Sequence, residues 1–300
     1  METNELLKKV RRIEIKTRGL SNNIFAGEYH TAFKGKGMTF SEVREYQYGD
    51  EIRAIDWNVT ARMRKPYVKV FEEERELTVM LLVDVSGSRQ FGTMTQMKRD
   101  MVAEIAATLA FSAIQNNDKI GVIFFSDKVE KFIPPKKGRK HILYVIRELL
   151  NFEPESNRTD IPEALRFMTN VIKKRCTAFV ISDFIDSSEE KKMQDAFTIA
   201  NRKHDIIALQ VYDRRDSDIP NLGLVKLRDS ETGERIYVDT SSAKVRAKYR
   251  SVWSERQFLL RQVLRKAGVN GVSIKTDEDY VKALMQMFSL SRCSLKMGEV

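Results

Sequence analysis

From residue 77 onward the chain alternates unbroken apolar runs with segments whose apolar residues recur every three or four positions. The run "LTVMLLVDV" predicts a buried strand, and "TQMKRDMVAEIAATLAFSAIQNN" after it predicts a helix. Two shorter strands, "KIGVIFFSD" and "VEKFIPP", precede the helical patterns "KHILYVIRELLNF" and "IPEALRFMTNVIKK". The strand "CTAFVISDF", the helix "EEKKMQDAFTIANRK" and the strand "DIIALQVYD" continue the alternation. Strands this uniformly apolar need cover on both faces, and strands alternating with helices give a mostly parallel sheet with helices on each side. The expected fold class is α/β: a doubly wound, mostly parallel, Rossmann-type sheet with a small N-terminal α+β unit packed on it. Towards the end, "LVKLRDSETGERIYVD" predicts a hairpin turning at Glu231, Thr232 and Gly233. A basic helix, a short strand "GVSIK" and a last helix starting near Asp279 follow.

Upstream, Gly49 and Asp50 predict a turn and a helix N-cap, with Ile52, Ile55 and Val59 on one helical face. Tyr67 to Phe71 then alternate as a strand. No Pro/Gly/Ser linker interrupts "VKVFEEERELTVMLLVD", so an N-terminal unit over 1–75 and a larger domain over 76–300 are expected to fold together.

Composition narrows the class. The chain has 300 residues, 42% hydrophobic and 31% charged, which suits a globular protein with a sizeable core. No stretch reaches the ~18 uncharged apolar residues of a membrane span, and the start lacks the apolar segment of a secretion signal. A cytoplasmic protein is expected. Cys176 and Cys293 lie far apart without metal-ligand spacing, as expected of reduced, structural thiols. The net charge of +10 is concentrated after residue 240, where 12 Lys and Arg face 5 Asp and Glu. There Val245, Tyr249, Val252, Leu259, Leu260, Val263 and Leu264 recur at helical spacing, which reads as a docked amphipathic helix with a solvated basic face. A nucleic-acid surface is the sharper alternative.

The run ending at Asp84 carries the most chemistry. In sheets of this class ligands bind beyond the carboxyl ends of the strands. Asp84 stands at such an end, and Ser86 and Ser88 lie on the turn that follows, with Gly87 between them. A second strand ends in Asp183, and "SNRTDIPEAL" puts Thr159 just before a helix at the same edge. Two carboxylates and three hydroxyls, some acting through water, suit Mg2+ or Mn2+, which take hard oxygen ligands.

The pattern Asp84-x-Ser86-x-Ser88, with Thr159 and Asp183 downstream, resembles the metal-ion-dependent adhesion site of von Willebrand factor A domains. The order of elements from about 77 to 215 is similar to theirs. Phe184 follows Asp183 where many A domains have glycine. The stretch "REYQYGDEIRAIDWNVTARMRKPYVKVFEEERE" resembles the hallmark segment of a bacterial family, domain of unknown function 58. The resemblance implies a role beside a MoxR-type AAA+ ATPase, or with other von Willebrand factor A proteins. It singles out Arg53, Asp56, Trp57 and Arg62, which form either a partner-docking surface or the ionic and aromatic join between the two units. Many members carry N-terminal membrane spans, which this sequence does not show.

Enzyme readings meet obstacles. An aspartyl phosphatase built on Asp84 needs an acid two residues on, and that position is Ser86. His30, His141 and His204 sit in unrelated segments, and neither a Gly-x-Ser-x-Gly elbow nor a P-loop is present. The expectation is a non-catalytic, metal-dependent protein-interaction module. Nucleic-acid binding by the basic helix and an unrecognised metal-dependent hydrolase are the alternatives.

Overall fold

A computed structural model describes residues 39–72, 77–90, 97–186, 188–229 and 233–296. Its central sheet contains β3 (Thr78–Asp84), β4 (Lys119–Phe125), β5 (Val129–Lys136), β6 (Thr177–Ser182), β7 (Asp205–Tyr212) and β10 (Asn270–Lys275). Their spatial order is β10-β7-β6-β3-β4-β5, and every neighbouring pair is parallel except β4 with β5. The chain therefore begins in the middle, winds outward to β5, then returns to the other side of β3 and winds outward again. That reversal between β3 and β6 is the switch point of a doubly wound α/β sheet, where the connections diverge and leave a crevice.

Strand burial follows from this position. Val79 to Val83 in β3 are at most 1% exposed, and β6 is buried along its whole length, as strands covered on both faces must be. Met80, Leu82, Ala178 and Val180 pack with Ile161, Leu165 and Met168 of α4 (Ile161–Val171) and Phe197 of α5 (Glu190–Lys203). Alternate residues point to the opposite face, where Phe179 meets Phe288 of α8 (Tyr280–Lys296) edge to face at 6.5 Å. Helix α2 (Lys98–Gln115) is buried over most of its length, which its alanines permit, and it contacts α3 (Arg139–Asn151). The edge strand β5 accommodates Pro134 and Pro135, which a central strand would not.

The described residues fall into two compact units, divided after Leu77. In the smaller one β1 (Thr39–Glu45) pairs antiparallel with β2 (Tyr67–Glu72), with a bulge between Phe40 and Glu42. The single helical face expected from Ile52 to Val59 is broken in two. A 3-10 helix covers Ile52–Ala54, Ile55 is extended and bridges to Val68, and α1 runs over Trp57–Met63. The capping residue is Asp56, whose Oδ1 accepts the N–H groups of Asn58 and Val59 at 2.9 and 3.2 Å. Asp50 instead receives both guanidinium nitrogens of Arg44 at 2.7 and 2.8 Å. A carboxylate at 56 satisfies the helix start, so the chain is extended at Ile55 and α1 begins only at Trp57. Residues 1–38 of the expected N-terminal unit, and 73–76 of the run joining it to the larger domain, lie outside the described residues.

The predicted hairpin forms from β8 (Leu224–Arg228) and β9 (Arg235–Asp239); its turn residues Glu231 and Thr232 lie outside the described residues. The basic helix α7 (Ala243–Lys266), which follows the one-turn α6 (Arg214–Ser217), departs from the expected stripe. Val263 and Leu264 are buried, whereas Val252 and Leu259 are 40% and 37% exposed. The helix docks through its C-terminal end against the core; its middle is held by Trp253 against Tyr212, ring centroids 5.2 Å apart. Among the described residues no helix is long and apolar enough to cross a membrane.

Candidate metal centre

The carboxyl ends of β3 and β6 meet at the switch point. Asp84 closes β3 and is 6% exposed. Its Oδ1 accepts the Ser86 N–H at 2.9 Å, and its Oδ2 accepts the Ser182 hydroxyl at 2.6 Å. Burial, and then the negative Asp183 nearby, push the Asp84 carboxyl up to about 6, against the pull of the hydrogen bonds from Ser182 and Ser86.

The turn after β3 is a 3-10 helix, Gly87–Gln90, and the hydroxyls of Ser86 and Ser88 lie 3.1 Å apart. Gly87 donates its N–H to the Asn157 carbonyl at 3.2 Å, tying this turn to the loop that carries Thr159. That loop is also fixed to the end of β4, because Asp160 N–H reaches the Ser126 carbonyl at 2.9 Å. Asp160 caps α4 with its side chain, so Thr159 sits immediately before a helix start. Thr159 is 3% exposed, and its Oγ1 is buried with no hydrogen-bond partner. Burying a hydroxyl unpaired costs about 1–3 kcal/mol, so such an atom calls for a partner, either a water or an ion.

Asp183 follows β6 and is as buried as Asp84. Its Oδ1 accepts the Ile185 N–H at 3.1 Å, and its main-chain carbonyl accepts from the Gln210 amide at 3.1 Å. Phe184 takes the left-handed conformation, φ +58°, at the position where A domains favour glycine. Its N–H donates to Ser182 Oγ at 3.0 Å and its ring stacks near Phe197, two contacts that hold a conformation costly for a bulky residue.

Asp84, Ser88 and Asp183 line one cavity, so these three expected ligands come together. Ser86 and Thr159 do not line that cavity: Ser86 touches Ser88 by its hydroxyl, and the loop carrying Thr159 is tied to the serine turn at Asn157. Arg53, Asp56, Trp57 and Arg62 belong to the smaller unit. There Asp56 is the helix cap and lies 3.5 Å from Lys69, Arg53 and Arg62 are exposed, and Trp57 is 67% exposed.

Three further residues escaped the sequence reading. Ser182 is the hydrogen-bond bridge between Asp84 and the Phe184 turn. Lys98, 3% exposed, puts Nζ 3.2 Å from Asp183 Oδ2 and 2.7 Å from Asp216 Oδ2. Burial pulls the Lys98 ammonium down, but Asp183 and Asp216 together outweigh it and raise its pKa. Asp216, its own pKa raised by burial, accepts the Asp213 N–H at 2.7 Å, and Asp213 accepts the Thr276 hydroxyl at 2.8 Å.

The donor set fits a small hard cation. Among the described residues no three His, Cys, Asp or Glu side chains gather as a ligand cluster, so a cation here relies on two carboxylates supplemented by hydroxyls and water. Magnesium accepts that mixture, whereas zinc prefers nitrogen and sulfur. A cysteine and a histidine also meet beside β6. Cys176 Sγ lies 3.3 Å from His204 Nδ1, but burial pushes the thiol up to about 12 and the imidazole down to about 4. Neither the thiolate nor the imidazolium of a nucleophilic pair is then present near neutral pH. His141 Nε2 contacts the Ile120 carbonyl at 2.9 Å, and His30 and the Cys293 side chain lie outside the described residues.

The chain resembles Uncharacterized protein Mb1516 of Mycobacterium bovis, with 27% identity over 292 residues, 96% of this chain and 90% of that protein. A shorter match joins it to Uncharacterized protein YeaD of Bacillus subtilis, 28% identical over 109 residues, 36% of this chain and 25% of that protein. Among solved structures, an aerotolerance-related membrane protein from Bacteroides fragilis, with multiple mutations to serines, has a similar fold. It gives a TM-score of 0.51 at 14% identity, over 73% of this chain and 99% of that one. The profile of the family "Protein of unknown function DUF58" matches residues 42–257, which takes in both Trp57 and the Asp84 site, and the chain belongs to that family.

Proposed function

We propose that this protein is a non-catalytic, metal-dependent protein-interaction module that works as an adaptor or assembly factor beside a MoxR-type AAA+ ATPase. One observation carries the metal reading: the buried, unpartnered Thr159 hydroxyl, in a loop tied by backbone to the turn bearing Ser86 and Ser88. A divalent ion held by Asp84, Ser86, Ser88 and Thr159, with Asp183 directly or through water, supplies the missing partner. The ion offers a strong Lewis-acid contact to an oxygen ligand from another protein. The chain's own residues do the rest: Ser182 and Ser86 N–H orient Asp84, and Lys98 holds Asp183. The adaptor role rests on the family resemblance and on the site's position at the carboxyl ends of β3 and β6.

The test is capture of partners from native lysate on the full chain, with magnesium and with chelator, beside Asp84→Ala. A MoxR-type ATPase retained by the wild type in magnesium, and lost in chelator and in the variant, supports the reading. Equal retention in all three overturns the metal bridge and moves the docking surface towards Trp57.

A further inference from the structure

Lys98 raises a question that the metal reading leaves open. A buried ammonium touches Asp183, one of the carboxylates that a divalent cation would also use. Two cations compete for one anion, and an apolar residue at 98 would avoid the contest. Counting charges shows what the ammonium does. The ammonium sets one positive charge against the buried carboxylates of Asp84, Asp183 and Asp216, with Asp213 beside them. With an uncharged residue at 98, the surroundings of a divalent ion would be more negative by one charge. The ion would be held more tightly, and an approaching carboxylate would be repelled.

Asp216 keeps the ammonium in place from the far side. It receives the Asp213 N–H, and Asp213 is itself fixed by Thr276 at the end of β10 and by the Arg215 N–H at 2.8 Å. Lys98 is thus anchored by a network outside the expected ligand set, at the start of a buried helix.

Resting on the metal reading above, we infer that Lys98 is a specificity-determining residue of the site. Its ammonium gives up part of the affinity for the divalent ion so that the bound ion can take a carboxylate from a partner protein.

Mn2+ binding to the full chain, by calorimetry, tests this with the wild type, Lys98→Met and Lys98→Met/Asp216→Asn. The double variant has the charge total of the wild type and guards against a single variant that folds poorly. Lys98→Met is expected to bind Mn2+ roughly ten- to a hundredfold tighter than wild type, the effect of one buried charge, and the double variant to return to within about threefold. In the Mn2+-loaded proteins acetate serves as the carboxylate probe, read by its displacement of bound water in proton relaxation. It should act at about tenfold lower concentration on wild type and double variant than on Lys98→Met. A Lys98→Met protein that binds Mn2+ no tighter than a binding-competent wild type overturns the role of Lys98 and leaves the metal reading standing. Absence of Mn2+ binding in all three overturns the metal reading, and this inference with it.

Discussion

Ser182 donates its hydroxyl to Asp84 across the boundary between β6 and β3, at 2.6 Å and 98 positions apart in the sequence. The same oxygen accepts the N–H of Phe184. One side chain therefore orients a carboxylate and holds a left-handed backbone. Ser182→Ala should lower stability by about 1–3 kcal/mol, the cost of leaving buried polar groups unpaired, and should weaken Mg2+ binding. Urea denaturation in chelator and calorimetry with Mg2+ measure the two effects; an unchanged midpoint would show that water or a neighbour replaces the hydroxyl.

Thr159→Val separates ligand from scaffold. The substitution keeps the branched shape and removes an oxygen that has no hydrogen-bond partner among the described residues. In chelator the variant should be as stable as wild type or up to ~1 kcal/mol more stable, yet bind Mg2+ several-fold more weakly. A loss of stability without metal would mean that the hydroxyl has a structural job.

Metal-free protein should show an inverted acid response at Asp84. Its carboxyl is raised to about 6 in the folded chain, so between pH 4 and 6 the folded state binds more protons than the unfolded one. The contribution of Asp84 to stability therefore falls as pH climbs through that window, by roughly 3 kcal/mol. His204, lowered to about 4, acts in the opposite sense, losing stability as pH falls from its ordinary value. The difference between wild type and Asp84→Asn isolates the first effect: the variant should gain relative to wild type as pH rises from 4 to 6 in chelator, and the gain should vanish in saturating Mg2+.

Trp57→Ala is expected to change stability by no more than ~0.5 kcal/mol, because the ring is largely in solvent. Thermal melts of the full chain check this. A large loss would place the ring in a buried contact, whereas an unchanged melt combined with weaker partner capture would identify a docking residue.

The sheet was legible because its signal is local and strong: "LTVMLLVDV" and "CTAFVIS" are apolar at nearly every position, and only a doubly covered strand explains that. Asp84, Ser86 and Ser88 were legible for the same reason, lying within five consecutive residues at a strand end. Lys98 was not. A lysine followed by Arg99 and Asp100 at a helix start reads as solvated, and only the packing of α2 across the strand ends buries it. Asp216, in "DRRDSD", looks equally ordinary until Lys98 arrives from 118 residues upstream. Strand β1 was missed because "TFSEVRE" alternates only weakly and belongs to a sheet of two strands. The stripe on α7 failed because its apolar residues share a helical face along the whole helix, while the core lies beneath only its last turns.

The two strands beside the switch point are neighbours in space, yet 92 residues of chain separate the end of β3 at Asp84 from the start of β6 at Thr177. Each supplies one of the two carboxylates, and the loop bearing Thr159 lies between them in the sequence. A nascent chain that has completed only β3, β4 and β5 has Asp84 and the serine turn but no second acid. On the metal reading, grip on a divalent ion would be a property of the finished sheet, and a cation held there would act as a clasp that opposes the parting of its two halves.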